Sequence, residues 1–113
     1  MACPHDVHTH DHVTLDIDVP FGEHKLYIGN IRWAVLCVHT RMSCGGNTHY
    51  ILCTRNGLGA HWRFMARLIL HDDEMRIKLD AARYADTHDG RYSVGVLHDA
   101  RNENVCGPWE EVK

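Results

Sequence analysis

His61 to Leu70 reads HWRFMARLIL, and the fold turns on whether this stretch is extended or helical. With a period of two, Trp62, Phe64, Ala66, Leu68 and Leu70 share one side, while Arg63 and Arg67 lie on the other. That alternation is the pattern of a half-buried strand. It makes residues 61–70 the clearest strand of the chain.

Toward the N-terminus the same period recurs. THYILCT (48–54) follows SCGGN (43–47), a glycine-rich turn, and IRWAVLCVHTR (31–41) precedes it. The two flanking runs are expected to form a hairpin, the first of them apolar on both faces and therefore central in its sheet. KLYIG (25–29) leads into that run. Farther upstream, VTLDIDV (13–19) places Val13, Leu15, Ile17 and Val19 on one face, and Pro20 with Gly22 ends it.

Toward the C-terminus, HDD (71–73) breaks the pattern, MRIKL (75–79) alternates again, Asp89-Gly90 marks a turn and RYSVGVL (91–97) follows. DAARYAD (80–86) reads either as a helical turn capped by Asp80 or as an edge strand with its loop. The strands recur at roughly the 8 to 12 residues expected of a sandwich or barrel. The expected fold is all-β: an antiparallel β-sandwich of seven or eight strands over residues 13–113, preceded by a polar, histidine-rich arm over residues 1–12.

The 113 residues, 44% hydrophobic and 24% charged, suit one soluble domain. No apolar run reaches the roughly 18 residues of a membrane helix, and the first residues lack the basic flank and apolar core of a secretory signal. A cytoplasmic protein is expected. Five cysteines, an odd number with no Cys-x-x-Cys pair, argue against a disulfide framework or a zinc ribbon. They are expected as reduced, mostly buried thiols, with a Cys37/Cys53 cross-strand disulfide as the alternative. Residues 1–24 hold five acids and no Lys or Arg, while residues 25–71 hold six bases and no acid. A basic middle weakly favours an acidic or phosphorylated partner.

Asp6-Val7-His8-Thr9-His10-Asp11-His12 is the loudest local motif. Histidines two apart on a strand point the same way and can share one Zn²⁺. The Asp-x-His-x-His spacing resembles that of amidohydrolases and of the polymerase and histidinol phosphatase class, and PFGEH (20–24) faintly resembles a cupin motif. The former need a full barrel of further ligands, for which this chain is too short, and the latter spacing is off by one. His8, His10 and His12 are therefore the zinc ligands of an alternative reading, in which the chain is a small metal-binding β-barrel protein or a metal-dependent enzyme. Cys44 with His39 or His49, and Cys53 with His49, could form thiol-imidazole pairs on paper, without a family signature. Trp33 and Trp62 read as core, and Trp109 in CGPWEEV as a partly exposed contact.

IRWAVLCV, then HYILCTRNGLGAHWRFMARLIL, then CGPWEEV resemble the MATH (meprin and TRAF homology) domain, with its Trp-led strand, its Tyr/Leu-Cys strand before a Trp-x-x-x-Ala-x-Leu-x-Leu strand, and its late Gly-Trp segment. The opening strand lacks the family's Trp, residues 72–89 do not follow its pattern, and Gly-Pro-Trp stands for Gly-Trp. The resemblance implies a TRAF/MATH-like sandwich that captures an extended client peptide for an adaptor or ubiquitin-ligase assembly, without chemistry and without a cofactor. It implies Tyr50 and Trp109 as groove-lining aromatics. Charge adds Arg63 and Arg67 as partners for an acidic or phosphorylated peptide. A single-stranded nucleic acid on the β surface is the less favoured third reading. A homo-oligomer is compatible with all three.

Overall fold

In the computed structural model, which describes residues 11–95, 97, 100–101 and 104–112, HWRFMARLIL is a helix. The chain runs β1 (Asp11–Pro20), a 3-10 helix (Gly29–Ala34), β2 (Val35–Met42), β3 (Asn47–Thr54), α1 (Ala60–Ile69), α2 (Glu74–Thr87), α3 (Arg91–Val94), β4 (Ala100–Arg101), β5 (Asn104–Val105) and β6 (Glu110–Glu111). One antiparallel sheet has the order β1-β3-β2-β6, and β4 pairs with β5. The all-β sandwich of seven or eight strands is thus corrected to a small α/β architecture of one sheet with helices.

The correction has a physical cause in residues 61–70. Ala, Met, Leu and Arg are good helix formers, and Ile69 is the lone β-branched residue of α1. Residues four apart share a helix face, so Trp62, Ala66 and Leu70 form the buried stripe. Leu68, inward in the strand reading, is 57% exposed, whereas Arg67, outward in that reading, is 0% exposed. Gly59, at φ 86°, turns the chain into the helix.

α2 replaces the strand expected at residues 75–79 and resolves the segment from Asp80 to Asp86. Its N-cap is Asp73, whose carboxylate accepts from the backbone N–H groups of Met75 and Arg76. Asp80, read as a cap, lies inside the helix and points inward. His88, in the left-handed region at φ 56°, ends it. Arg91–Val94, the start of RYSVGVL, forms the short α3 where a strand was expected.

The sheet follows the sequence more closely. Val13, Leu15 and Ile17 of β1 meet Tyr50 and Leu52 of β3 and Val38 of β2, and Ile31, Ala66 and Leu70 close this core from the 3-10 helix and α1. Asp11 and His12 belong to β1 rather than to an arm, while His5, His8 and His10 lie outside the described residues. Trp33, placed in a strand by its sequence, stands on the 3-10 helix and is 58% exposed.

β1 is an edge strand, and side chains cover that edge. The Asp16 N–H donates to Asp72 Oδ1 at 2.8 Å and the Thr14 carbonyl accepts from Arg76 Nη1 at 3.2 Å. Arg76 also pairs with Asp72 at 2.7 Å and bonds Thr14 Oγ1. Arg67 joins the cluster from α1, donating to Asp72 at 2.8 Å, to Asp80 at 2.7 Å and to the Tyr92 carbonyl at 3.0 Å. These groups turn an open strand edge into a satisfied, buried seam.

Removing one partner from a buried, hydrogen-bonded ion pair costs about 3–5 kcal/mol, because the remaining charge stays desolvated. Arg67→Met is therefore expected to lower the urea unfolding free energy by about that amount, and a loss below about 1 kcal/mol would sink this account of the seam. Gly95, at φ +89°, leaves no room for a side chain: a Cβ there would lie 2.5 Å from Arg76 Nη2 and 2.6 Å from Thr14 Oγ1. Gly95→Ala is expected to destabilise the fold, whereas Gly57→Ala, equally strained in φ but with open space around it, should cost less in the same melt.

Candidate metal centre on the polar face of the sheet

Side chains directly opposite one another on paired strands project from the same face. His12 pairs with Cys53 and Cys53 with Cys37; Thr14 pairs with Ile51, Ile51 with His39 and His39 with Glu111; Asp16 pairs with His49 and His49 with Arg41. Three rows of polar and sulfur-bearing groups thus cross the sheet on the face opposite Val13, Leu15 and Leu52. His12, His39, Arg41 and His49 are all buried.

The first two rows hold a compact donor cluster. The ligand atoms of Cys37, His39 and Cys53 all lie within 4.8 Å of one another, and Cys37 Sγ is 3.9 Å from His39 Nδ1. The register counted out from the turn sets this pairing. Val35 pairs with Thr54 but Cys37 with Cys53, so Leu36 is the extra residue of a β-bulge that lies beyond the cysteine pair and shifts Val35, not Cys37. Between the bulge and the turn the β2–β3 hairpin is symmetric about Gly45, which sets Cys37 and Cys53 at equal distances from the turn.

Tetrahedral Zn²⁺, with Zn–S near 2.3 Å and Zn–N near 2.0–2.1 Å, sets its ligand atoms about 3.5–3.8 Å apart, so the three donors need close in by about 1 Å or less. They stand on the two inner strands of the sheet. Burial pushes the Cys37 thiol above its ordinary range, Glu111 adds to that shift, and a hydrogen bond from the Cys53 backbone N–H opposes it. A cation at this point would reverse the balance, because a coordinated thiol loses its proton. Cys37, Cys44 and Cys106 are reduced thiols, whereas the Cys53 sulfur is engaged in a disulfide. The reduced state expected for all five cysteines, and the Cys37/Cys53 pairing, are both corrected by this.

The third row joins one hydrogen bond to a close approach of charge. Arg41 Nε donates to His49 Nδ1 at 3.1 Å, which places the proton of the neutral ring on Nε2, 3.6 Å from Asp16 Oδ1. The Arg41 guanidinium lies 4.3 Å from the centroid of the Trp109 ring, a cation–π contact. Asp16, His49 and Cys44 line a cavity of about 620 Å³ that continues to Arg76, Asp80 and Tyr92. Its charged lining serves the seam, since Arg76 holds Asp72 and Asp80 holds Arg67.

The residues expected to hold a peptide do not share a surface. Tyr50 is 4% exposed, its hydroxyl against His24 Nδ1 at 3.0 Å, and Arg67 is 0% exposed in the seam. Arg63 donates to Ser93 Oγ at 2.7 Å, and Trp109 lies on Arg41. Of the alternative zinc ligands, His12 alone falls among the described residues, buried in the row of Cys53. Cys37 and Cys53 were read from sequence as small hydrophobes. The missed signal is Cys37-x-His39 on one strand, with Cys53 at the mirror position across the turn.

Asp16 yields a pH signature. Burial is the largest cause lifting its carboxyl above the ordinary range; Arg76 opposes the shift, while Asp72, Asp73 and Asp18 add to it. The folded state then favours the protonated form, so this group's contribution to stability is present below the unfolded value and is lost as pH rises through the folded one. Asp16→Asn is expected to raise the urea midpoint at neutral pH and to match the parent protein at strongly acid pH. A variant less stable than the parent at neutral pH would overturn this reading.

No helix among the described residues is long and apolar enough to cross a membrane. No family model, no curated protein and no solved structure matches the chain.

Proposed function

We propose that this protein binds a thiophilic divalent cation, zinc foremost, through Cys37, His39 and Cys53. One observation carries the reading: three donor atoms of zinc-binding type converge within 4.8 Å on two paired inner strands. Two sulfurs and an imidazole nitrogen are a soft donor set, suited to zinc rather than to calcium or magnesium, which take oxygen. The fourth position of a tetrahedral site is left for water or a further donor. Cys53 contributes as a thiolate once its disulfide is reduced.

The peptide-recognition reading asks Tyr50 and Arg67 to meet a partner at the surface, and both lie in the interior. The metal reading uses groups that already stand together. It keeps the cation of the alternative reading, which the N-terminal histidines were to hold, but moves the ligands to the β2–β3 hairpin.

Cobalt(II) is the direct probe. The fully reduced protein, titrated with Co²⁺, is expected to develop sulfur-to-cobalt charge-transfer absorption and the intense visible bands of a four-coordinate ion. Cys37→Ser and His39→Ala, which remove ligands, should each weaken binding by at least the roughly 10-fold that loss of a mere outer-shell partner costs. His49→Ala, which alters only the neighbouring row, should keep the spectrum. Weak, water-like cobalt bands, or an unchanged spectrum in Cys37→Ser, would remove the site.

A further inference from the structure

The C-terminal segment returns along β2 and carries one cysteine to another. His39 and Thr40 of β2 pair with Glu111 and Glu110 of β6. Counting on in this antiparallel register sets Trp109 opposite Arg41 and brings Cys106 to the turn of the β2–β3 hairpin, where Cys44 stands. Two contacts hold the segment there. The Arg41 guanidinium lies 4.3 Å from the Trp109 ring centroid, and the Gly107 N–H donates to the Met42 carbonyl at 2.8 Å, in place of Pro108, which has no N–H to give. The turn is fixed as well, since the Ser43 N–H donates to the Asn47 carbonyl and the Asn47 N–H to Ser43 Oγ, both at 2.9 Å. Between these anchors the thiols of Cys44 and Cys106 meet in a hydrogen bond, and both are reduced.

We infer that Cys44 and Cys106 are a reversible dithiol–disulfide site for a small hydroperoxide, with Cys44 the sulfur that is oxidised first and Cys106 the thiol that resolves it. Neither residue belongs to the metal centre proposed above, so the two readings stand or fall separately.

The Cys44 thiolate attacks one peroxide oxygen, the O–O bond breaks, and the sulfur becomes a sulfenic acid while the other oxygen leaves and takes a proton to form water. The Cys106 sulfur then attacks the Cys44 sulfur. The S–S bond forms, the S–O bond breaks, and the second oxygen leaves as water with the Cys106 proton. Two thiols lose two electrons and the peroxide gains them. A dithiol reductant reverses the step by exchange at the disulfide.

Access assigns the order. Cys44 is the member of the pair that lines the cavity of about 620 Å³ shared with Asp16 and His49, where a small oxidant can enter. Burial is the largest cause lifting the Cys106 thiol above its ordinary range; Arg41 opposes the shift, and the hydrogen bond to Cys44 adds to it. Cys106 therefore keeps its proton until Cys44 has become an electrophile, and the nearby Arg41 cation favours its thiolate at that moment. Because the fold already holds both residues in place, the second step pays little ordering entropy. The disulfide would tie the C-terminal segment, with Trp109 on Arg41, to the hairpin turn. Arg41 in turn holds His49 at 3.1 Å, so the tie secures one wall of the same cavity.

The test uses the full chain, with its Cys53 disulfide intact and no added metal, titrated with hydrogen peroxide. A thiol count and non-reducing peptide mass mapping read the products. Each peroxide consumed is expected to remove two thiols, recovered as one Cys44–Cys106 linked peptide that a dithiol separates again. In Cys106→Ser, Cys44 should stop at the sulfenic acid and be captured by dimedone. In Cys44→Ser, Cys106 should still be a thiol when the parent chain is fully oxidised. Sulfinic acid at Cys44 beside a reduced Cys106, a linkage through Cys37, or a chain that loses no thiol overturns the site. Dimedone capture at Cys106 in Cys44→Ser, as fast as that at Cys44 in Cys106→Ser, overturns the assigned order.

Discussion

The guanidinium of Arg67 is the constraint on which the helical half of this molecule depends. It is fully buried, and its donors go to Asp72 at 2.8 Å, Asp80 at 2.7 Å and the Tyr92 carbonyl at 3.0 Å. One side chain of α1 thereby fixes the turn into α2, the middle of α2 and α3. Asp72 passes the constraint to the sheet by accepting from the Asp16 N–H and from Arg76, whose other bonds close the edge of β1. A charge this deep is tolerated because its carboxylates and carbonyl supply fixed dipoles in place of water.

That constraint also explains where sequence and structure part. Residues 61–70 satisfy both a period of two and a helical stripe, and periodicity alone gives no means of choosing. The arbiter is Arg67. In a strand it would face solvent; in the helix it faces Asp80, thirteen positions ahead, in a segment that read as an ambiguous turn. A long-range ion pair between one misread and one ambiguous segment leaves no local trace. The same holds for Asp73 and Asp80, both plausible caps by residue type, of which only Asp73 has helix N–H groups within reach.

β1 and the β2–β3 hairpin were legible because their signals are local: strict alternation closed by Pro20 and Gly22, and a glycine-rich turn between apolar runs. The candidate centre was legible in part. Cys37 and Cys53 could be paired by counting outward from the turn; what hid the centre is that cysteines in apolar strand patterns read as small hydrophobes. The bulge at Leu36 lies beyond that pair, and no residue at 35–37 announces it, since none is a glycine or a proline. The loud DVHTHDH motif drew attention to the wrong end of the chain, although its last residue, His12, does lie in the row of Cys53.

The two faces of the sheet divide the work. Val13, Leu15, Ile17, Tyr50 and Leu52 bury one face and stabilise the fold through apolar contact. The other face carries the imidazoles, the thiols and the Asp16-His49-Arg41 row. In small zinc-dependent domains the cation joins segments that nothing else joins, so that binding free energy is folding free energy. Here Cys37, His39 and Cys53 stand on strands already tied by a backbone ladder and backed by an apolar core. A cation at this position adds little to what holds the chain together, and the same geometry therefore lets it come and go while the fold persists.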